Sequence, residues 1–185
     1  MSKIFIISGP SGAGEDSIIE GLRKYFPIER VISTTTRSMR PGESQGSPYY
    51  FVSEDEFKKG VEKEDFFEWT EEYNSKLYGV TKKEIERVKN SKHVGIWKIE
   101  YKGVATAKKL IPGIIAIFVT VSNLKILENR IRRRDGVSEE YIKERMKYTK
   151  EWMKHANVYN YTVVNEEGKL DEAIEKTAEI IKNNL

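Results

Sequence analysis

The sequence predicts an α/β fold: three layers around a mostly parallel central sheet, with a mixed α/β lobe inserted into the chain. Three observations carry this. Apolar runs and helical patterns alternate along most of the length, which is the order that builds a parallel sheet. The run Ile114-Ile115-Ala116-Ile117-Phe118-Val119-Thr120-Val121 is nearly continuous, as in a strand covered on both faces. Between about Ser33 and Lys89 the alternation breaks into short β patterns and glycine turns. The 185 residues suit a single domain, divided into a core of 1–32 and 90–185 around an inserted lobe of about 33–89.

Composition narrows the function classes. Charged residues make up 33% of the chain against 38% apolar, so a real core lies under a highly charged surface. The formal net charge of +3 argues against a general nucleic-acid binder. There is no cysteine, hence no disulfide and no thiolate metal site. The two histidines, His93 and His155, lack metal-ligand spacing. No apolar run reaches a membrane-spanning length and no signal-peptide pattern precedes the first strand, so a cytoplasmic protein without a membrane partner is expected.

The elements follow in order. Ile4-Phe5-Ile6-Ile7 reads as a strand. Ser8-Gly9-Pro10-Ser11-Gly12-Ala13-Gly14 is a glycine-rich turn, and a helix from about Asp16 to Tyr25 follows, capped by Asp16 or Ser17 and stopped by Pro27. Strand, glycine turn and helix form the frame of a phosphate-binding loop. The pattern G-x-x-x-x-G-K-[ST] runs from Gly9 to Gly14, but Glu15 takes the lysine position and Asp16 the hydroxyl position. As plain structure, two carboxylates stabilise a helix start; as chemistry, they stand where an anion would bind.

Val31-Ile32 ends a strand, and a hydroxyl run leads to Arg37 and Arg40, with a turn at Pro41-Gly42. Two guanidiniums three residues apart can clamp one phosphate, and are otherwise ordinary surface arginines. Pro48 to Val52 is a short β pattern, and Ser53 with Glu56 forms a capping box. Phe66-Phe67-Glu68-Trp69 sets one carboxylate among three aromatics, most of which should form a small lobe core. A turn is expected between Tyr73 and Gly79, then a helix from Thr81 to Val88 with Glu84 as capping partner. Val94 to Gly103 reads as a strand, Val104 to Leu110 as a helix. Leu124 to Arg134 is a helix ending in Arg130, Arg132, Arg133 and Arg134, a solvated face or an anion-closing patch. Ser138 opens a long helix through Arg145 and past Trp152. Tyr161 to Asn165 is the last strand, and Asp171 to Asn183 an amphipathic helix with Ala173, Ile174, Thr177, Ile180 and Ile181 inward.

Taken together, Gly9 to Gly14, the stretch Ser33 to Glu43 with its T-T-R-x-x-R-P-G-E pattern, Glu68, Tyr78-Gly79, the arginines and Asn165 resemble the guanylate kinase family along nearly the whole chain. The resemblance implies a P-loop fold whose inserted lobe binds GMP, a helical lid at about 124–150, and phosphoryl transfer from ATP to GMP with Mg2+. It implies that Arg37, Arg40, Tyr49 and Tyr78 hold the GMP phosphate, that Ser33 and Glu68 read guanine, and that Glu100, in place of an aspartate, belongs to the same site. It assigns the ATP phosphates to Gly9, Ser11, Gly12, Ala13, Gly14, Ser17, Arg130, Arg134 and Arg145, with Asn165 near the adenine. Arg37, Arg134 and Arg145, joined by Lys98, make the catalytic set.

The departures concentrate where transfer needs charge neutralised: Glu15, Asp16 and Lys98 replace a lysine, a hydroxyl and an aspartate. Lys102 replaces a glutamine, and Val80 stands where the family has a serine or threonine touching the base. The replacements are opposite in sign, so Lys98 is expected to pair with Glu15 or Asp16 across the crevice. Either Lys98 supplies the missing cation while Asp16 contributes to a metal site, or the ion pair fills an abandoned triphosphate site. The first makes the chain a kinase with impaired or altered transfer. The second makes it a silent module binding GMP or a phosphopeptide.

Overall fold

The computed structural model describes residues 2–71, 75–133 and 137–185. Strand β1 (Ile4–Ser8) leads through the glycine turn into helix α1 (Glu15–Gly21) and then β2 (Ile28–Val31). Next come β3 (Thr34–Thr35), β4 (Ser44–Gln45), β5 (Pro48–Phe51), α2 (Glu54–Glu62), β6 (Phe66–Glu71), β7 (Leu77–Thr81) and α3 (Lys82–Lys89). The chain continues with β8 (Val94–Trp97), α4 (Tyr101–Leu110), β9 (Ile115–Thr120), α5 (Leu124–Arg132), α6 (Glu139–Met153), β10 (Tyr161–Val164) and α7 (Leu170–Asn183).

The central sheet is parallel throughout, in the order β10-β9-β1-β8-β2. Period-two alternation divides its side chains between two helical layers. Phe5, Ile7, Ile117 and Val119 pack with Ile18 and Ile19 of α1, Leu127 of α5 and Ile174 and Ile181 of α7. Ile4, Ile6, Trp97 and Phe118 face the other way, onto Ile85 and Val88 of α3, Val104 of α4 and Trp152 of α6. From β1 the chain moves outward to β2, and later crosses from β8 to β9 on β1's other flank. That reversal opens a crevice at the carboxyl end of β1, where ligands bind in open α/β sheets.

A second, mixed sheet has the order β4-β5-β3-β7-β6. Its aromatics form the small core expected of them: Phe57 of α2 stacks on Phe66 at 4.3 Å, while Trp69 stays about half exposed. The Ser53–Glu56 capping box is present. Tyr78-Gly79 lies within β7 and makes no turn; a Cβ on Gly79 would come within 2.8 Å of Trp69 Cβ and the Glu68 carbonyl, so the missing side chain admits the neighbouring strand. Tyr73 and Asn74 lie outside the described residues, and Ser75, between β6 and β7, takes a left-handed φ of 55°.

Three boundaries differ from the sequence reading, each for a local reason. Helix α1 starts at Glu15 because Gly14 takes the left-handed turn at φ 95°, so neither Asp16 nor Ser17 caps it, and a 3-10 turn at Leu22–Lys24 carries the chain towards Pro27. Strand β8 stops at Trp97, opposite Val31, the last residue of β2, while β1 runs on to Ser8 paired with β9; Glu100 becomes the N-cap, and α4 begins at Tyr101. Thr81 caps α3, but Glu84 closes no capping box. Its carboxylate instead accepts the Ile32 N–H at 2.8 Å and pairs with Arg87, which also reaches the Arg30 carbonyl. Among the described residues no helix is long and apolar enough to cross a membrane.

Candidate active site

The glycine turn after β1 is shaped by close contacts. A Cβ on Gly9 would lie 2.3 Å from the Val119 carbonyl oxygen, so only glycine fits beside β9. One on Gly14 would meet Asn165 Nδ2 at 2.4 Å. Asn165 holds the loop: its side-chain N–H donates to the Ala13 carbonyl at 2.7 Å and its backbone N–H to Thr120 at 2.7 Å. Arg130 joins it, donating to the carbonyls of Gly12 (3.2 Å) and Asn165 (3.0 Å) and pairing with Glu167. Asn165 is buried and, like Arg130, Ala13 and Gly14, does not line the cleft; Ser17 sits exposed on α1, also away from it.

Charges on the loop confirm the inferred swap and identify its partner. Lys98, in the turn beyond β8, pairs with Asp16 Oδ2 at 2.5 Å, and Arg30 on β2 takes Oδ1 at 2.8 Å. Burial would raise the Asp16 carboxyl, but Lys98 and then Arg30 outweigh it and hold it below its usual value. Burial likewise works against a charged Lys98, and Glu15 followed by Asp16 reverses that, holding its ammonium above the usual range. Glu15 accepts the Gly14 N–H at 3.1 Å; crowding by protein raises its carboxyl, against the pull of Lys98.

The facing wall comes from the second sheet and α6. Arg37 forms a two-pronged pair with Glu43 (2.8 and 3.0 Å) and lies 5.4 Å from the Tyr49 ring centre. Hydrogen bonding to Glu43 raises the already basic guanidinium. The same Glu43 accepts the Arg40 backbone N–H at 2.8 Å. Tyr49 and Tyr78 meet edge to face at 5.7 Å. Ser33 and Glu68 are buried, and desolvation pushes the Glu68 carboxyl up to about 7. Glu100 accepts from the Tyr148 hydroxyl, and Arg145 donates to Tyr141 at 3.1 Å.

One cleft of about 480 Å³ thus gathers Gly9, Ser11, Gly12, Glu15, Asp16, Ser33, Arg37, Arg40, Tyr49, Glu68, Tyr78, Lys98, Glu100 and Arg145. Arg134 lies outside the described residues. Val80 is fully buried between the layers beside Ile85 and Val88, not on the cleft wall, so the missing hydroxyl leaves no gap in the lining. Sequence reasoning missed Arg30, Tyr148 and the orienting role of Glu43. Arg30 left one readable signal: a charge near the carboxyl end of a strand, the edge that faces the crevice.

The residues do not fit a resident magnesium ion. Asp16 is the one carboxylate at the hydroxyl position, and each of its oxygens is already held by a cation. Lys98 occupies the place of a second acidic residue. Among the described residues no group of three or more His, Asp or Glu side chains could hold a metal.

Comparison with known proteins agrees with this architecture. A family profile described as Guanylate kinase matches residues 1–184. The guanylate kinase of Chlamydia trachomatis serovar D is 39% identical over 168 residues, covering 89% of this chain and 80% of the relative. That of Caldanaerobacter subterraneus subsp. tengcongensis is 36% identical over 179 residues, covering 96% and 85%. The crystal structure of guanylate kinase from Anaplasma phagocytophilum superposes with a TM-score of 0.76 at 23% identity, over 98% of this chain and 85% of that one, a likeness of fold. The chain belongs to the guanylate kinase family, whose reaction moves a phosphoryl group from ATP to GMP.

Proposed function

We propose that this chain carries out the family reaction, ATP and GMP giving ADP and GDP, with Lys98 in place of the loop lysine and with slowed transfer. The observation that carries the reading is the single cleft in which Lys98 stands between the loop and the wall of Arg37, Arg40, Tyr49 and Tyr78. Tyr49 and Lys98 line this cleft together.

In this reading Arg37 and Arg40 clamp the acceptor phosphate, oriented by Glu43, while Tyr49 and Tyr78 complete the seat. The ionised Glu68 accepts two N–H groups of guanine, with Ser33 beside it. Lys98 neutralises charge on the transferred group, and Arg145 approaches from α6. Glu100, tied to Tyr148, keeps the turn carrying Lys98 in place. Transfer needs positioning and charge neutralisation more than covalent chemistry, so these groups suffice for a reaction and their rearrangement slows it. The family uses Mg2+; the described residues offer no protein cluster for a resident ion, so Mg2+ is expected here only as carried on the ATP phosphates, and no step is routed through a protein-bound one. GMP and ATP are the ligands, nucleic acid is not, and the site of action is the cytoplasm, which supplies both nucleotides.

A second reading has its own observation. Glu15 occupies a loop N–H and Asp16 is locked between two cations, which favours a silent module that binds GMP or a phosphopeptide at the arginine wall. Coupled ADP release with ATP, Mg2+ and GMP separates the two. Turnover that falls about tenfold or more in Lys98→Ala, with the KM for GMP unchanged, is expected for the kinase. GMP binding with no ADP above background establishes the silent module.

A further inference from the structure

We infer that Glu15 is an internal competitor for the terminal phosphates of the donor nucleotide, so that donor affinity in this chain is set by how readily one carboxylate leaves the glycine-rich loop. The inference rests on the proposed reading of that loop as the donor's phosphate seat.

A loop of this kind holds an anion with backbone N–H groups left available for it. Here the Gly14 N–H already donates to Glu15 Oε2 at 3.1 Å, and the Ala13 N–H donates to the Pro10 carbonyl at 2.9 Å. Glu15 lines the cleft and covers the Gly14 N–H behind it, so a phosphoryl oxygen reaching for that donor meets the carboxyl group first. One N–H cannot serve both oxygens, so the Glu15 carboxyl group must swing out before phosphate can take its place.

The backbone around Glu15 is held while its side chain swings. Asp16 is gripped from two elements, by Lys98 beyond β8 and by Arg30 on β2, so the turn carrying Glu15 is anchored at both oxygens of its neighbour. From beneath, Asn165 and Arg130 fix the carbonyls of Ala13 and Gly12. The backbone of the seat is thus held, and the Glu15 side chain is the part left to move. The acceptor wall has a different arrangement: Glu43 there binds a guanidinium on a separate loop, where it orients a donor.

The test is calorimetric titration of the full chain with ATP and, separately, with GMP, in the unsubstituted protein and in Glu15→Ala and Glu15→Gln, each shown to be folded by its melting curve. Glu15→Ala frees the N–H and removes the charge, and should tighten ATP binding about tenfold or more. Glu15→Gln removes only the charge and should give a smaller gain. GMP affinity should stay within about twofold in both. An ATP affinity within about twofold of the parent in both variants, or no ATP binding in either, overturns the inference. Failure of GMP to bind any form sinks the acceptor site proposed above and leaves the ATP comparison intact. The unsubstituted chain supplies a second readout: the Gly14 amide resonance should shift and saturate as ATP displaces the carboxylate, and ATP binding without that shift also overturns it.

Discussion

The two ends of the cleft use the same kind of side chain to opposite effect. At the arginine end Glu43 engages a cation, and by doing so aims Arg37 and fixes the Arg40 backbone. At the loop end Glu15 engages a backbone N–H, and by doing so consumes it. A carboxylate that binds a charged donor organises an anion site, because a guanidinium has further N–H groups to offer. A carboxylate that binds a lone amide fills the site. Counting acidic residues in the cleft would not separate these ends; the identity of each partner does.

The largest expected effect breaks the arginine end. Arg37→Ala should weaken GMP binding about a hundredfold or more, since it removes a guanidinium from the phosphate seat. Guanosine, which has no phosphate, should bind parent and variant alike; equal losses for both ligands would mean that Arg37 only supports the fold.

Glu68 sharpens the same end. Its carboxyl titrates at about 7 in the folded chain, against an ordinary value of 4.5. Below about 7 it gains a proton and can no longer accept two guanine N–H groups, so GMP affinity should fall about tenfold per pH unit towards acid. Stability runs the other way. Between the two values the folded state keeps a proton that the unfolded state has lost, so stability declines as pH rises across that window, by up to about 3 kcal/mol. Glu68→Gln should abolish both slopes, read in calorimetric GMP titrations and in denaturant melts at pH 5 and 8.

At the loop end, Glu15→Lys combined with Lys98→Asp restores the opposite polarity. It should raise the turnover number for ADP release about tenfold while leaving the KM for GMP unchanged. A turnover number below that of the parent would show that the chain depends on its present polarity. The smallest effect belongs to Arg30→Ala. It removes one of two partners of an exposed carboxylate, worth less than about 1 kcal/mol, a melting shift of about 2–3 °C at most. A larger shift would make Arg30 a structural post of β2.

Much of this was readable from the residues alone. The continuous apolar run at β9 announced a buried parallel strand, the Ser53–Glu56 spacing announced a helix start, and the opposite signs at Glu15, Asp16 and Lys98 announced a pairing across the crevice. What could not be read depends on neighbours distant in sequence. That Lys98 chooses Asp16 follows from Arg30, on another strand, which supports the same carboxylate. That β8 ends at Trp97 follows from where β2 ends, at Val31, although the residues of β8 continue to alternate. The place of Val80 within the core follows from the packing of α3, which no pattern around Val80 encodes.

The contact of Glu84 with Ile32 ties together the two passages of the chain between the sheets. The chain leaves the central sheet after β2 and returns to it through β7 and α3, and this one carboxylate, on the return, holds the backbone of the exit. The two passages are therefore tied side by side, while Phe67 of β6 packs on Trp97 of β8 elsewhere between the sheets. The Ile32 amide, one residue beyond the ladder of β2, should exchange with deuterium as slowly as a strand amide. Cutting that tie with Glu84→Ala should therefore speed exchange at Ile32 on the way out and at the start of α3 on the way back together.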